Sequence, residues 1–383
     1  RKLDGQRTRH TLTWADPATS LIVRGVAVAE DAPQMLRYRV VARYPHDREA
    51  FTQGLVYREA DGTPVYTGRR NDSLDLDTLP FPAYEKLKDF PKAYKLPIFN
   101  YPTTPHSSCI ASRGCPYACS YCDRSVFGRG FRYNSAEYMY EHLRYLRERY
   151  RLRHILFYDD QFTFNRQRVV DFCNLMLDRP LGMTFNCVVR AEHVDRELLV
   201  LMKKAGCWMI SMGIETGDKD LLARHRKNPD LDMLASKVWL MREVGIRVKG
   251  LLMMGLPGES EASIRKTMDY VFSLPLNDFN VTKFTPFPGA PLYEQIDELG
   301  EFNEDWEKMD CMNFQFVPHG MTRERLDELH TQFYRRHYSR PKTLLGIAAM
   351  SWKSPDSMRR LFFNLGRFVK FAMDSRRLEY KGA

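Results

Sequence analysis

The chain has 383 residues, 58 Lys and Arg against 48 Asp and Glu, a formal charge of +10, and 44% hydrophobic content. That length suits a full-sized core and more than one structural unit. No run approaches the ~20 apolar residues of a membrane span, and no signal-peptide pattern is read at the start. Eight cysteines at irregular spacing, three of them clustered, argue for a reducing compartment and against a disulfide framework. A cytoplasmic protein is expected. The excess of positive charge raises the question of nucleic acid. However, Arg144, Arg147, Arg149, Arg151 and Arg153 are interleaved with Glu141 and Glu148, the pattern of a solvated helix face, which disfavours an RNA surface.

Residues 1–104 show no sustained period and are rich in Arg, Asp and Pro. They read as a short irregular N-terminal segment and linker, with strands expected at Ser20–Val26 and Gly54–Arg58. Asp61-Gly62 predicts a hairpin turn within Glu59–Thr63, because these residues tolerate positive φ. Leu76-Asp-Thr-Leu-Pro-Phe-Pro-Ala-Tyr84 carries two prolines and reads as an extended linker. From His106 the texture changes. Strand-like runs at His154–Asp159, Thr184–Val189, Trp208–Ile214, Val248–Gly255 and Phe279–Phe287 alternate with helical patterns near Ala136–Tyr150, Arg166–Leu177, Asp195–Lys204, Leu231–Val244 and Glu259–Leu274. With the strand before Cys115 this makes six βα units, an α/β domain over 105–300 with parallel strands and fewer units than a closed eight-fold barrel. Residues 301–383 read as a helical C-terminal extension in which Thr322 caps a helix to Arg336. The stripe Leu361-Phe-Phe-Asn-Leu-Gly-Arg-Phe-Val-Lys-Phe371 suits packing on the barrel or association with a membrane surface.

Within this frame stands Cys115-Pro-Tyr-Ala-Cys119-Ser-Tyr-Cys122, a C-x3-C-x2-C run. Zinc sites favour C-x2-C pairs and need four ligands, and no second pair follows. Three thiolates on one loop suit three corners of a [4Fe–4S] cluster and leave the fourth iron open to another ligand. Other polar residues fall at strand ends, where barrels carry their chemistry: Asp159 and Asp160, Arg190, Glu215, and the turn Gly255-Leu-Pro-Gly-Glu259. Structural alternatives stand beside each of these. Either aspartate can cap the following helix, Arg190 can pair with Glu192 or Asp159, and Glu259 can cap its own helix. Cys109, Cys173, Cys187, Cys207 and Cys311 form no close pair and read as small buried hydrophobes, with Cys311 the one to test for covalent chemistry.

The cysteine run, with Tyr121 aromatic before its last member, resembles the signature of the radical S-adenosylmethionine (SAM) superfamily. Arg113-Gly-Cys-Pro-Tyr117, Cys122-Asp-Arg-Ser125, Tyr158-Asp-Asp160, Gly213-Ile-Glu-Thr-Gly217, Gly255-Leu-Pro-Gly-Glu259, Thr285-Pro-Phe-Pro-Gly289 and the linker Leu76–Pro82 resemble members that carry a cobalamin-binding domain before the barrel. The resemblance implies a partial (β/α)6 barrel, a [4Fe–4S] cluster on Cys115, Cys119 and Cys122, and reductive SAM cleavage that starts radical chemistry. It further implies that Asp159 or Asp160 receives the SAM ammonium, Arg190 its carboxylate, Glu215 its ribose or methionine end, and the Gly255 turn its adenosine. Methyl transfer and oxidative cyclisation on a small molecule, lipid or tetrapyrrole are the implied reactions, with a flavodoxin- or ferredoxin-like electron donor. The family's Asp-x-His-x-x-Gly cobalamin motif is absent, and residues 1–60 are too short for that domain. Since the chain opens at Arg1, a fragment without the domain and a member that works without cobalamin both fit, and cobalamin is expected only where the missing domain is present. An RNA-modifying methylthiotransferase and a non-catalytic iron–sulfur protein are the alternatives.

Overall fold

The computed structural model describes residues 10–16, 21–28, 37–43, 56–58, 61–66, 75–98, 100–128, 130–341, 343–346 and 355–373. The chain divides into two compact units, Arg1–Leu74 and Asp75–Ala383. In the first, β1 (His10–Asp16), β2 (Leu21–Val28) and β3 (Arg37–Arg43) form an antiparallel sheet, and β4 (Val56–Arg58) pairs with β5 (Pro64–Tyr66). The expected strands thus appear one after Ser20 and two after Gly54; Ser20, Gly54 and Leu55 lie outside the described residues. In the expected turn, Gly62 has φ +90° and the Thr63 N–H donates to Asp61 Oδ1 at 2.8 Å.

The second unit is built on six parallel strands in the order β13-β12-β11-β10-β9-β6. These are β6 (His106–Cys109), β9 (His154–Phe157), β10 (Thr184–Val189), β11 (Cys207–Glu215), β12 (Arg247–Met254) and β13 (Asp278–Lys283). The short β7 (Ser112–Arg113) and β8 (Arg132–Tyr133) pair antiparallel at the two ends of the cysteine loop. Helices α1 (Ala136–Tyr150), α2 (Arg166–Asp178), α3 (Arg196–Lys204), α4 (Lys219–Arg224), α5 (Leu231–Val244) and α6 (Glu261–Ser273) provide the crossovers. The architecture is the partial barrel that the βα period implied. Each main crossover starts at a residue whose side chain accepts a hydrogen bond from the first turn: Ser135, Asn165, Asp195, Asp230 and Ser260. Phe157, Phe162, Phe172 and Phe185, all buried, pack ring on ring between sheet and helices. Each contributes roughly 1.5–3 kcal/mol by leaving water.

Two details depart from expectation. The strand expected at Phe279–Phe287 ends at Lys283, where Thr285-Pro286 breaks the ladder. The C-terminal extension is not all helix. After the short α7 (Ile296–Leu299), β14 (Gly300–Phe302) and β15 (Phe316–Pro318) pair antiparallel, and a Cβ on Gly300 would run into the Val317 carbonyl. Strands of three residues carry no readable alternation. Helix α8 (Arg323–Tyr338) follows, with the Thr322 hydroxyl accepting from the Arg325 N–H. The last helix, α9 (Pro355–Met373), is tied to the linker by Asp356, which accepts from the Tyr101 hydroxyl, and by Arg360, which donates to the Leu96 carbonyl. Its Phe362 and Phe363 are exposed. Among the described residues no helix is long and apolar enough to cross a membrane.

Candidate functional site

The cysteine run lies on the long loop between β7 and β8, at the carboxyl end of the sheet. Gly114 opens it at φ +85°, where a Cβ would collide with the Gly130 carbonyl oxygen, so the loop's two ends meet only across a glycine. The middle of the loop is braced from the far side of the barrel. The Ser120 N–H donates to the His225 carbonyl at 3.1 Å, and Ser120 Oγ lies 3.0 Å from His225 Nδ1. His225 Nε2 in turn donates to the Pro257 carbonyl at 3.0 Å. Burial holds this imidazole's pKa low, which keeps it neutral and fixes it as the link between the loop and the Gly255–Gly258 turn.

Cys115, Cys119 and Cys122 open onto one cavity of about 420 Å³. Tyr121, Asp160, Arg190, Glu215 and Lys227 line it with them, which brings together side chains from the ends of β9, β10 and β11. Arg190 Nη2 donates to Glu192 Oε1 at 2.8 Å, Nη1 lies 3.9 Å from Cys119 Sγ, and the guanidinium sits 3.8 Å above the Tyr117 ring. A hydrogen bond from Cys122 and the nearby Lys227 and Arg190 charges hold the Cys119 thiol's pKa below the usual thiol range, against the effect of burial. Burial pushes the Cys115 thiol up. Glu215 ends β11 in the left-handed region, φ +65°, at a register shift against β12. Such a bulge re-aims a side chain, and here the carboxylate accepts from Lys227 Nζ at 3.2 Å. A Cβ on Gly213 would sit 2.5 Å from Glu215 Oε1, so this glycine makes room for the pair.

The two adjacent aspartates part company. Asp160 lines the cavity. Asp159 is 2% exposed and points into the protein, accepting from the Ala111 N–H and the Ser112 hydroxyl, each at 2.7 Å, with Arg168 at 3.6 Å. Gly255, at φ +88°, does not line the cavity. Its N–H and that of Leu256 donate to Glu259 Oε2, so Glu259 closes this turn, and Ser260 caps the helix in the place expected of Glu259. Tyr117, His193 and Lys227 escaped sequence reading. Tyr117 lay inside the motif as a spacer, and Lys227 stands in a polar loop that looks like any solvated one.

Among the described residues no three His, Cys, Asp or Glu side chains converge on a point that would hold a single metal ion. A cube ligated at separate corners needs no such convergence, and three soft sulfur donors on one loop around a shared cavity fit it.

Residues 109–271 match the radical SAM superfamily. The chain is 26% identical over 296 residues to an uncharacterised methyltransferase from Pyrococcus horikoshii, covering 76% of this chain and 62% of that protein. It is 24% identical over 375 residues to the anaerobic magnesium-protoporphyrin IX monomethyl ester cyclase of Rubrivivax gelatinosus, covering 92% and 64%. The chain thus spans less than two-thirds of the length of either relative. Among solved structures, the cobalamin-dependent SAM radical enzyme OxsB, with aqua-cobalamin and SAM bound, superposes with TM-score 0.58 at 16% identity over 82% of this chain and 51% of that one. The methyltransferase TsrM from Kitasatospora setae, with tryptophan and a SAM analogue bound, gives 0.54 at 17% identity over 67% and 51%. The radical SAM proteins similar to this one therefore include methyltransferases, cyclases and cobalamin-dependent enzymes. Residues 14–77 match a different family, glutamine cyclotransferase, which the sequence reading did not foresee.

Proposed function

We propose that this chain is a radical SAM enzyme that binds a [4Fe–4S] cluster through Cys115, Cys119 and Cys122 and acts on a small molecule by methyl transfer or oxidative cyclisation. The observation that carries the reading is the single cavity in which three thiols meet Asp160, Arg190, Glu215 and Lys227. Its volume is in the range of small-molecule sites. When bound, the cluster and SAM together supply a one-electron reductive cleavage of a carbon–sulfur bond, and the organic chemistry belongs to them.

The chain's own residues bind and orient. Asp160, rather than Asp159, offers its carboxylate to the SAM ammonium. Glu215 faces the ribose or methionine end, held by Lys227, which also offsets its charge. The Gly255 turn, which does not line the cavity, braces the cysteine loop through His225, with its shape fixed by Glu259. Tyr121, buried beneath the loop, packs beside His225 and holds the last cysteine in place. A flavodoxin- or ferredoxin-like donor delivers the electron. Cobalamin binds this chain weakly or not at all, since no Asp-x-His-x-x-Gly loop is present; equilibrium dialysis with hydroxocobalamin tests this, and stoichiometric binding refutes it.

Anaerobic reconstitution followed by dithionite reduction tests the central reading. The expected result is 5′-deoxyadenosine and methionine from SAM, with a Cys119→Ala variant inactive. Equal product from both chains would end the proposal.

A further inference from the structure

Arg190 was expected as a clamp for the SAM carboxylate, but its surroundings fit another task. A carboxylate clamp needs two parallel N–H donors free on the guanidinium fork. Nη2 donates to Glu192 at 2.8 Å, Nη1 lies 3.9 Å from Cys119 Sγ, and Nε, which has no partner among the described residues, is itself buried, so neither side of the fork presents two accessible donors. One face is covered by the Tyr117 ring at 3.8 Å. The side chain is only 6% exposed, against 28% for Glu192. Tyr117 is itself fixed, its hydroxyl 2.5 Å from His193 Nε2 and its carbonyl accepting from Arg124 Nη1 at 2.6 Å. The loop that presents the thiols therefore also presents the ring that pins a permanent cation against one of them.

We infer that Arg190 is a positioning residue that acts through Cys119, setting the reduction potential of the cluster rather than gripping SAM. The inference rests on the cluster assignment proposed above. Reduction adds one electron, taken from the low-potential donor, with no proton transferred and no bond made or broken. It therefore adds one negative charge beside the guanidinium, which cannot deprotonate. Because Arg190 is buried, that attraction is less screened than at an exposed position. Net charge and hydrogen bonds to the sulfurs are the established levers on such potentials. Arg190 thus favours the reduced state and raises the potential, and Glu192 opposes it in part.

EPR-monitored redox titration of the reconstituted full chain tests this, with iron content and SAM binding measured in parallel. Arg190→Gln is expected to lower the midpoint potential, Arg190→Lys to stay near the parent, and Glu192→Gln to raise it, all with SAM affinity unchanged. Opposite shifts from the two neutralising variants are not a result that a merely structural pair would give. An unaltered potential in Arg190→Gln with weakened SAM binding overturns the inference and restores the clamp. If Arg190→Gln takes up no iron, Glu192→Gln decides, and an unchanged or lowered potential there overturns it. A parent chain that loads no iron overturns the cluster assignment and this inference together; a loaded chain with unresponsive potentials overturns the inference alone.

Discussion

The barrel has two mouths, both with buried charge, and the cavity that the thiols line lies at one of them. At the amino ends of the strands the linker crosses the opening, and its Asn100 is grasped from three strands. The Asn100 carbonyl accepts from Asn186 Nδ2 at 2.7 Å and lies 3.2 Å from His154 Nε2, while Oδ1 accepts from Lys249 Nζ at 3.2 Å. Lys249 also stands 3.6 Å from Asp278. At the carboxyl ends the charges line a cavity instead, and the loop above it carries three thiols. At both mouths most buried polar groups have partners, with Asn186 Oδ1 at the closed end and Arg190 Nε at the open end left without one among the described residues. The difference is where the partners come from. The closed mouth finds them within the chain and is structure; the open mouth leaves groups facing a space that something else must fill.

If that contrast holds, substitutions at the two mouths separate activity from stability. The largest effect is expected from Cys119→Ala. Iron uptake and 5′-deoxyadenosine formation should be lost, while the thermal midpoint of the iron-free protein moves little. A variant that still binds four irons would erase the open mouth's special status. At the closed mouth, Lys249→Met leaves Asp278 buried without its nearest cation, and breaking such a pair costs about 3 kcal/mol. Urea denaturation should show that loss, while turnover per folded, loaded molecule stays at the parent's value. A turnover defect without a stability defect would mean that this end is not merely a plug.

The adjacent aspartates bring the same comparison down to neighbouring residues. Asp159→Ala removes the acceptor for the Ala111 N–H and the Ser112 hydroxyl and strips Arg168 of its anion. A loss of about 2 kcal/mol follows from leaving buried donors unpaired. Asp160→Ala should change stability by less than about 0.5 kcal/mol, as exposed positions do, and should weaken SAM binding. Equilibrium binding and denaturation measured on both variants check the division, and a reversed pattern refutes it.

Much of this was legible because the signals were periodic or covalent in origin. The βα alternation predicted six strands and their crossovers, with Pro286 accounting for the strand that ends early. The thiol spacing named the loop. What escaped was decided by tertiary geometry. Asp159 and Asp160 read alike in sequence, and only the direction of the strand end distinguishes them. Lys227 and Tyr117 matter through contacts with Glu215 and Arg190 that no local pattern in the sequence announces. The hairpin of β14 and β15 is too short to show alternation. The strands of the N-terminal unit carry no clean period in sequence, although residues 14–77 match the glutamine cyclotransferase family.

The pH dependence is the most discriminating test, because the two mouths should respond in opposite directions. Burial pushes the His154 pKa from 6.5 down to about 3. The folded ring stays neutral while the unfolded ring gains a proton below 6.5, so the unfolded state binds more protons and stability falls as pH drops through that window. Glu259, on the turn beside the open mouth, is the reverse case. Burial raises its carboxyl from 4.5 to about 8, with the Gly255 and Leu256 N–H groups pulling the other way. The folded side chain keeps its proton where the unfolded one has lost it, so stability falls as pH rises from 4.5 to 8. Urea denaturation across this range should give a shallower acid limb in His154→Gln and a shallower alkaline limb in Glu259→Gln. If Glu259→Gln leaves the alkaline limb untouched, the two backbone donors outweigh burial and hold the carboxylate charged. The Gly255 turn would then be fixed by a buried anion rather than by a neutral acid.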